Sequence, residues 1–443
     1  MTATVSTTLE DVLAGRWRAP GSGAAPDIPI DSLVLRDSLA GAEAELLAPL
    51  GLGGHLAVVA DRDTYDALGQ RVVAAIAAHP GLHADTVILD TPHADEATVA
   101  EVRRRTARAD ALVAVGAGTL NDLAKYAAYL DGRPYAVFAT AASMNGYTSS
   151  TAAITDTAGM KRSLPAQTPR GLFLDLSVLA AAPAFLSRAG LGDCLCRATA
   201  QVDWLMSHLL RDTFYDESPF ALQETDEAAL LARAEGVGRG DRDAIDALVR
   251  VLTLCGLGVL YTGTSHHGSM GEHMISHYID MFAGAAHPGT LHGHQVGVAA
   301  VSMARLQRTL LARERPPRLH PTGIDPEALR RRYGPAIGED CLVQWRRKAL
   351  DPAEAERLNT LLEARWDALR ERLLAKSLPA ETLSATLDAA GAASTVDGLG
   401  LERGFYRQTL GHAREIRDRF TFLDIASDAG GLDAFAAAEA GAA

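Results

Sequence analysis

The sequence predicts an α/β domain built on a parallel sheet, residues 1–182, followed by an all-α domain, residues 183–443. Three observations predict it. Apolar strand-like runs alternate with helix-like segments through the first part of the chain, the pattern of a parallel sheet covered by helices on both faces. One strand-to-helix junction is a glycine loop, at Gly116 and Gly118. From about Pro183 strand patterns nearly vanish, and Ala, Leu, Glu and Arg recur with helical period.

The elements follow in order. "HLAVVAD" (55–61) is a short apolar run ending in an acid, and "TYDALGQRVVAAIAAH" after it has helical spacing. "DTVILD" (85–90) is a second strand and "DEATVAEVRRRTARA" an amphipathic helix. "ALVAVGAGT" (111–119) is a third strand running into the glycine loop, with "LNDLAKYAAYL" as its helix. "PYAVFAT" (134–140) is a fourth strand, and a further strand-like pair lies around "AAIT" and "GLFLDL". In the second part, "DPAEAERLNTLLEARWDALRERLLAKSL" typifies the helices. Proline and charge in "RERPPRLHPTGIDP" (313–326) predict an exposed loop. The alanine-rich "LDAFAAAEAGAA" reads as a frayed tail. No internal repeat is visible.

Composition narrows the function. A chain of 443 residues, 48% hydrophobic and 22% charged, is globular. Its formal charge of −13 argues against nucleic acid or an anionic membrane as partner, since both call for a basic face. The four cysteines form no CxxC and no disulfide framework, which points to a reducing compartment. "MTATVSTTLEDVLAGRWRAPGSG" lacks the basic start and apolar core of a signal peptide. No apolar run is read as reaching the roughly 18 residues of a bilayer span. The expectation is a soluble cytoplasmic protein with no membrane insertion.

The glycine loop would bring backbone N–H groups close to an anion, and the helix N-terminus after it adds positive potential. A dinucleotide pyrophosphate would fit, although GxG is not the full GxGxxG fingerprint and a tight turn explains it equally. Asp61, ending its strand, could meet a ribose hydroxyl or simply cap the next helix.

The densest chemistry lies in "GEHMISHYIDMFAGAAHPGTLHGHQVGV" (271–298). His273 and His277 are four apart and share a helix face. His292 follows a loop marked by Pro288 and Gly289, and Gly293 lets the chain pass close to an ion. A catalytic divalent metal usually takes three N or O ligands and keeps one position open. Asp193, in "AGLGDCLCRATAQVDW", is a candidate third ligand, against the alternative of an ordinary helix N-cap. His266, His267, His287 and His294 are read as solvent-facing or supporting residues. The spacing matches no strong local motif such as HExxH.

These blocks, in this order, resemble the superfamily of iron-containing alcohol dehydrogenases, glycerol dehydrogenases and dehydroquinate synthases, and within it the sn-glycerol-1-phosphate dehydrogenases. The resemblance rests on "VGAGTLNDLAKY", "ATAASMNGYTSSTAAI", "KRSLPAQTPRGLFLDL", "AGLGDCLCRATAQVDW", "GEHMISHYIDM" and "LHGHQVGVAAVSMA". It covers roughly residues 50–305 and, more loosely, 400–430, where "AREIRDRFTFLDIA" looks like a terminal helix. It implies a Rossmann-like nucleotide domain and a helical metal- and substrate-binding domain, the dehydroquinate synthase-like fold, with the active site in the cleft. It implies a divalent metal, typically zinc or nickel, on Asp193, His273 and His292, with His277 in support. It places Gly116, Gly118, Thr119 and Asp122 on the nucleotide loop, and Thr140 and Ser143 beside the nicotinamide. It makes Asp61 the acid that favours NAD(H) over NADP(H). The implied reaction is metal-dependent reduction of dihydroxyacetone phosphate to sn-glycerol 1-phosphate, with Asn145 near the substrate. Lys161 and Arg162 are candidates for its phosphate, against the alternative of a solvated turn pair. A homodimer or larger homo-oligomer is the default.

Three departures leave the substrate open. Asn145 stands where the family commonly has Asp. "HHGSMGEH" (266–273) replaces a segment that often reads RPAS before the first histidine. His294 stands where HGE has Glu. None removes a ligand. A dehydrogenase of another small polyol or polyol phosphate therefore remains an alternative. A dehydroquinate-synthase-like cyclase would need more Lys and Arg than these motifs offer. A non-catalytic relative would be expected to have lost ligands.

Overall fold

The computed structural model describes residues 7–441. The start of the stretch read above against a signal peptide, residues 1–6, and the last two residues of the alanine-rich end lie outside the described residues.

Six parallel strands form the main sheet in the order β1-β8-β5-β4-β2-β3. They are β1 Ser32–Arg36, β2 His55–Asp61, β3 His83–Leu89, β4 Ala111–Gly116, β5 Tyr135–Ala139 and β8 Gly171–Asp175. A separate antiparallel hairpin pairs β6 Thr151–Thr155 with β7 Lys161–Pro165. The central strands β4, β5 and β8 are buried at every position. This is why they read as unbroken apolar runs rather than alternating ones. β3, at the edge, is mostly exposed or half-buried over its first half.

Two strands escaped the sequence reading. β1 is short and half-buried, and β7 (KRSLP) carries charge on a hairpin edge; neither has a strong apolar signature. The two further segments, around "AAIT" and "GLFLDL", are both strands. The first forms β6, while the second enters the main sheet between β5 and β1.

The chain divides into two compact units. One comprises the described residues up to Gly190 together with Ala221–Thr264; the other comprises Leu191–Phe220 and the described residues from Ser265 onward. The helix Arg242–Thr262 belongs with the sheet. Its Leu254 and Leu257 form an apolar cluster with Leu222 and with Leu9 and Val12 of the helix Thr8–Leu13. This helix is long and apolar enough to cross a bilayer, which the sequence reading overlooked. It is an interior helix, with 78% of its apolar window buried.

No strand occurs among the described residues after Asp175. Two expectations there need correction. The alanine-rich end is an ordered helix, Leu432–Gly441, whose buried Glu439 accepts hydrogen bonds from Ser302 Oγ at 2.8 Å and Arg305 Nη1 at 2.6 Å. Alanine is the best helix former and small enough to pack closely, so low complexity here does not mean fraying. The 313–326 loop is irregular but not wholly exposed. Leu319 is buried, and the Asn359 side-chain amide pairs with both its N–H and its carbonyl.

Candidate active site

Three residues of the second unit, carried on three helices, converge on one spot. Asp193 lies near the end of the helix Ala184–Leu195, His273 in the first turn of Gly271–Phe282, and His292 at the first position of His292–Leu311. One ligand atom from each lies within 4.8 Å of the others. His273 Nε2 is 3.6 Å from Asp193 Oδ1, and the His273 and His292 rings are 4.9 Å apart between centroids. Glycine makes the approach possible. A Cβ on Gly192 would stand 2.1 Å from the carbonyl oxygen of Gly293, so the helix bearing Asp193 and the helix begun by His292 meet backbone to backbone.

Both imidazoles are held by their far nitrogens. His273 Nδ1 is 3.0 Å from Glu272 Oε1. His292 Nδ1 is 2.7 Å from Ser276 Oγ, whose own proton goes to Gln295 Oε1 at 2.8 Å. A hydroxyl has one proton, so Ser276 accepts from His292 Nδ1–H. The Nε2 of His292 then carries a lone pair, the form a metal ligand needs. Such partners fix tautomer and ring orientation at metal sites.

The carboxylates around this centre form a network. Glu272, fully buried, also accepts the Met270 N–H at 2.7 Å and the Thr199 hydroxyl at 2.9 Å. Burial pushes its carboxyl up, but the hydrogen bond and charge of His273 hold it below the ordinary glutamate range. Burial likewise pulls His273 down, and the hydrogen bonds to Asp193 and Glu272 more than reverse this. A metal binding here would compete with a proton for this imidazole. Behind it, Asp203 accepts the Gly271 and Phe422 N–H groups and the Gln307 amide, fixing the start of the His273 helix. Burial, reinforced by the charge of Glu272, pushes it up to about 8.

Two nitrogens and a carboxylate oxygen converge here, Asp193 and His273 buried and His292 half-buried, and they fit a borderline first-row divalent ion such as zinc or nickel. A neighbouring group, His277, Asp280 and His292, shares His292. The His277 and His292 rings stack at 5.2 Å.

The other histidines correct the reading of a mostly solvent-facing set. His267 is fully buried, edge-on to Phe220. The His266 ring lies 5.7 Å from that of Trp204. Burial, then the charges of Arg419 and His267, pull His266 down to about 3, so it is a neutral aromatic packing group.

In the first unit, β2 and β4 flank the point where strand order reverses, the usual position for a ligand at strand C-termini. The helix Gly118–Leu130 starts there with no side-chain cap at Ala117. Its first N–H groups, including those of Gly118 and Thr119, suit an anion. The Thr140 N–H donates to the Gly116 carbonyl at 3.2 Å, so the segment bearing Thr140, Ser143 and Asn145 starts beside the loop. A Cβ on Gly118 would lie 3.1 Å from Met144 Cγ of that segment. Asp61 caps the next helical turn, its Oδ1 accepting from Thr64 N–H and Oγ1 at 2.8 Å each. The cap engages one carboxylate oxygen. Asp122 accepts the Ala153 N–H at 3.1 Å and so ties the loop helix to β6. Lys161 and Arg162 lie on β7, where Arg162 Nε is 2.5 Å from Asp156 Oδ2.

Lys125 went unnoticed in the sequence. Fully buried, its Nζ donates to Gly146 O at 2.6 Å, Thr151 O at 3.1 Å and Ser149 Oγ at 3.2 Å, and lies 3.9 Å from Asp122. Burial pulls it down to about 8, against the opposing charge of Asp122. It pins the chain just after Asn145. Lys125→Met should cost about 3 kcal/mol, because it strands the half-buried Asp122 carboxylate and three acceptors. Thermal or urea unfolding would read this, and a variant within about 0.5 kcal/mol of wild type would refute it.

A family model, iron-containing alcohol dehydrogenase, matches residues 34–183. A Halalkalibacterium halodurans protein named glycerol-1-phosphate dehydrogenase (NAD(P)+) is 34% identical over 57% of this chain, a match spanning 65% of that relative's length. A Bacillus subtilis protein of the same name is 30% identical over 68% of this chain and 77% of its own. In structure the chain is similar to a probable glycerol dehydrogenase from Sinorhizobium meliloti, with TM-score 0.61 and 18% identity, covering 92% of this chain and 98% of that one. This last likeness bears on fold alone.

Proposed function

The chain belongs to the iron-containing alcohol dehydrogenase family and is an NAD(P)-linked oxidoreductase acting on CH–OH groups, and on that premise we propose that it interconverts dihydroxyacetone phosphate and sn-glycerol 1-phosphate. The observation that carries the reading is the convergence of Asp193, His273 and His292. Those three would hold a divalent metal, zinc or nickel by donor chemistry. When bound, the ion supplies Lewis acidity toward a carbonyl or hydroxyl oxygen, and the nicotinamide supplies or takes the hydride.

This chain's residues do the rest. Glu272 accepts from His273 Nδ1 and Ser276 from His292 Nδ1, so both Nε2 atoms face inward. The N–H groups at Gly118 and Thr119, with Gly116 and Asp122 shaping the loop, receive the dinucleotide phosphates. Asp61 would meet the adenosine ribose through the oxygen outside its cap, and a carboxylate there favours NAD over NADP. Thr140 and Ser143 flank the nicotinamide side. Asn145 faces substrate with an amide in place of a charge, and Lys161 and Arg162 are the cations offered to its phosphate. We place the enzyme in the cytoplasm as a homodimer or larger assembly.

Asn145 and the arginine-free stretch Ser265–Ser269 favour, as the second reading, a different small polyol or polyol phosphate. The test is NADH absorbance with dihydroxyacetone phosphate, using metal-stripped protein refilled with zinc or nickel. The expected result is oxidation only after refilling, with the sn-1 product on chiral analysis. No oxidation with either metal, while NADH still binds, would sink the glycerol-phosphate assignment.

A further inference from the structure

A second convergence of ligand atoms lies in the sheet unit. The parallel pairing of β2 and β3 sets His55 directly beside His83, and Asp85 follows two residues later. Register partners on neighbouring strands project from the same face, as do residues i and i+2 of one strand. The backbone alone therefore gathers two imidazoles and a carboxylate on one face. The side chains complete the arrangement. His55 Nε2 is 2.9 Å from Asp85 Oδ2, and His83 Nε2 is 3.8 Å from Asp85 Oδ1. The two rings are 5.2 Å apart between centroids, and one ligand atom from each residue lies within 4.8 Å of the others.

We propose that His55, His83 and Asp85 form a surface site for a borderline divalent cation such as Zn²⁺ or Ni²⁺, separate from the triad of Asp193, His273 and His292. Metal–ligand bonds of about 2 Å in a tetrahedral shell set ligand atoms roughly 3.3 Å apart. The observed contacts, 2.9 Å to one Asp85 oxygen and 3.8 Å to the other, with one ligand atom from each residue within 4.8 Å of the others, lie near that spacing. Two imidazoles select against the hard ions calcium and magnesium. The side chains are 29%, 73% and 50% exposed, which leaves the fourth position to water and an open path for entry.

The backbone beneath is held on both sides. The His83 N–H donates to Gly54 O at 2.8 Å. His55 exchanges hydrogen bonds with Asp110, its N–H to Oδ2 at 2.9 Å and its carbonyl from the Asp110 N–H at 2.7 Å. The ion would clip the edge strand β3 to β2 at their N-terminal ends. This is about 20 Å along β2 from Asp61, so its role is structural and independent of the proposed reaction.

The test is equilibrium dialysis of the full-length protein against Zn²⁺ and, separately, Ni²⁺. Four proteins are compared: wild type, His83→Ala, His292→Ala and the double variant. His292 is common to both ligand groups of the helical unit, so its loss empties them together. Wild type should hold two ions per chain, each single variant one, and the double variant none. Zn²⁺ should also raise the Tm of His292→Ala but not that of the double variant. His83 is largely exposed, so its replacement does not threaten the fold. A wild type and a His83→Ala variant that bind the same number of ions, with the same Zn²⁺-induced change in Tm, would overturn the proposal.

Discussion

His273→Ala is expected to lower NADH-linked turnover by about a thousandfold or more and to abolish tight metal binding at the triad of Asp193, His273 and His292. The loss of Lewis-acid stabilisation worth several kcal/mol converts to that factor at 1.36 kcal/mol per tenfold. The geometry explains why no neighbour takes over. Asp193 and His292 would remain as two donors, and Glu272, which now orients His273 through Nδ1, would lose its partner. Two buried acids, Asp193 and Glu272, would then face each other's surroundings without the imidazole between them. Glu272→Gln separates orientation from ligation. It keeps the shape and all three ligands but weakens the acceptor at His273 Nδ1, so metal affinity should fall by only about 10–100-fold. Metal content after dialysis and kcat/KM on refilled protein read both effects. Turnover in His273→Ala within about tenfold of wild type would rule the triad out as the reacting centre.

The legibility of this site in the sequence was uneven, for physical reasons. His273 and His292 stood out as a dense histidine stretch, whereas Asp193 also read as a helix N-cap and was joined to them by the family resemblance. The strands β2, β4 and β5 were legible because a sheet covered on both faces turns burial into unbroken apolar runs. β1 and β7 were not, since a half-buried strand and a charged hairpin edge have no such signature. The helix Leu432–Gly441 was misread because alanine-rich composition gives no polarity contrast, and its anchor, Glu439 to Ser302 and Arg305, is a long-range pairing. Asp61 kept both of its local readings, as the structure shows the cap and leaves the second oxygen outside it. Glu272 directly precedes His273, so an acid beside a candidate ligand was visible; Ser276 orients His292, sixteen residues on in another helix, and only the spacing of the two helices in the fold shows that. Lys125 was equally hidden. A lysine in an amphipathic helix normally signals a solvated face, and only tertiary structure shows it pointing inward at Gly146, Ser149 and Thr151.

The second large effect should come from Gly192→Ala, a change of one methyl group that touches no ligand. The new Cβ would lie 2.1 Å from the carbonyl oxygen and 3.0 Å from the carbonyl carbon of Gly293, and 3.4 Å from Gly297 Cα. These are backbone atoms of the facing helix, so no side-chain rotation relieves the clash. The helices must separate, and the expected loss is about 3 kcal/mol, the upper end for overpacking in a core. That separation would also pull Asp193 away from His292, and a displacement near 1 Å at a reacting centre typically costs about 100-fold in rate. Gly411→Ala is the contrasting control. A Cβ there meets nothing within 4 Å in the helix Arg403–His412, so alanine should stabilise by up to about 1 kcal/mol. Denaturant unfolding of both variants, with metal content and turnover measured below their transitions, tests the argument. A Gly192→Ala protein as stable and as well metallated as wild type would mean that the close contact of the two helices is not what brings Asp193 and His292 together.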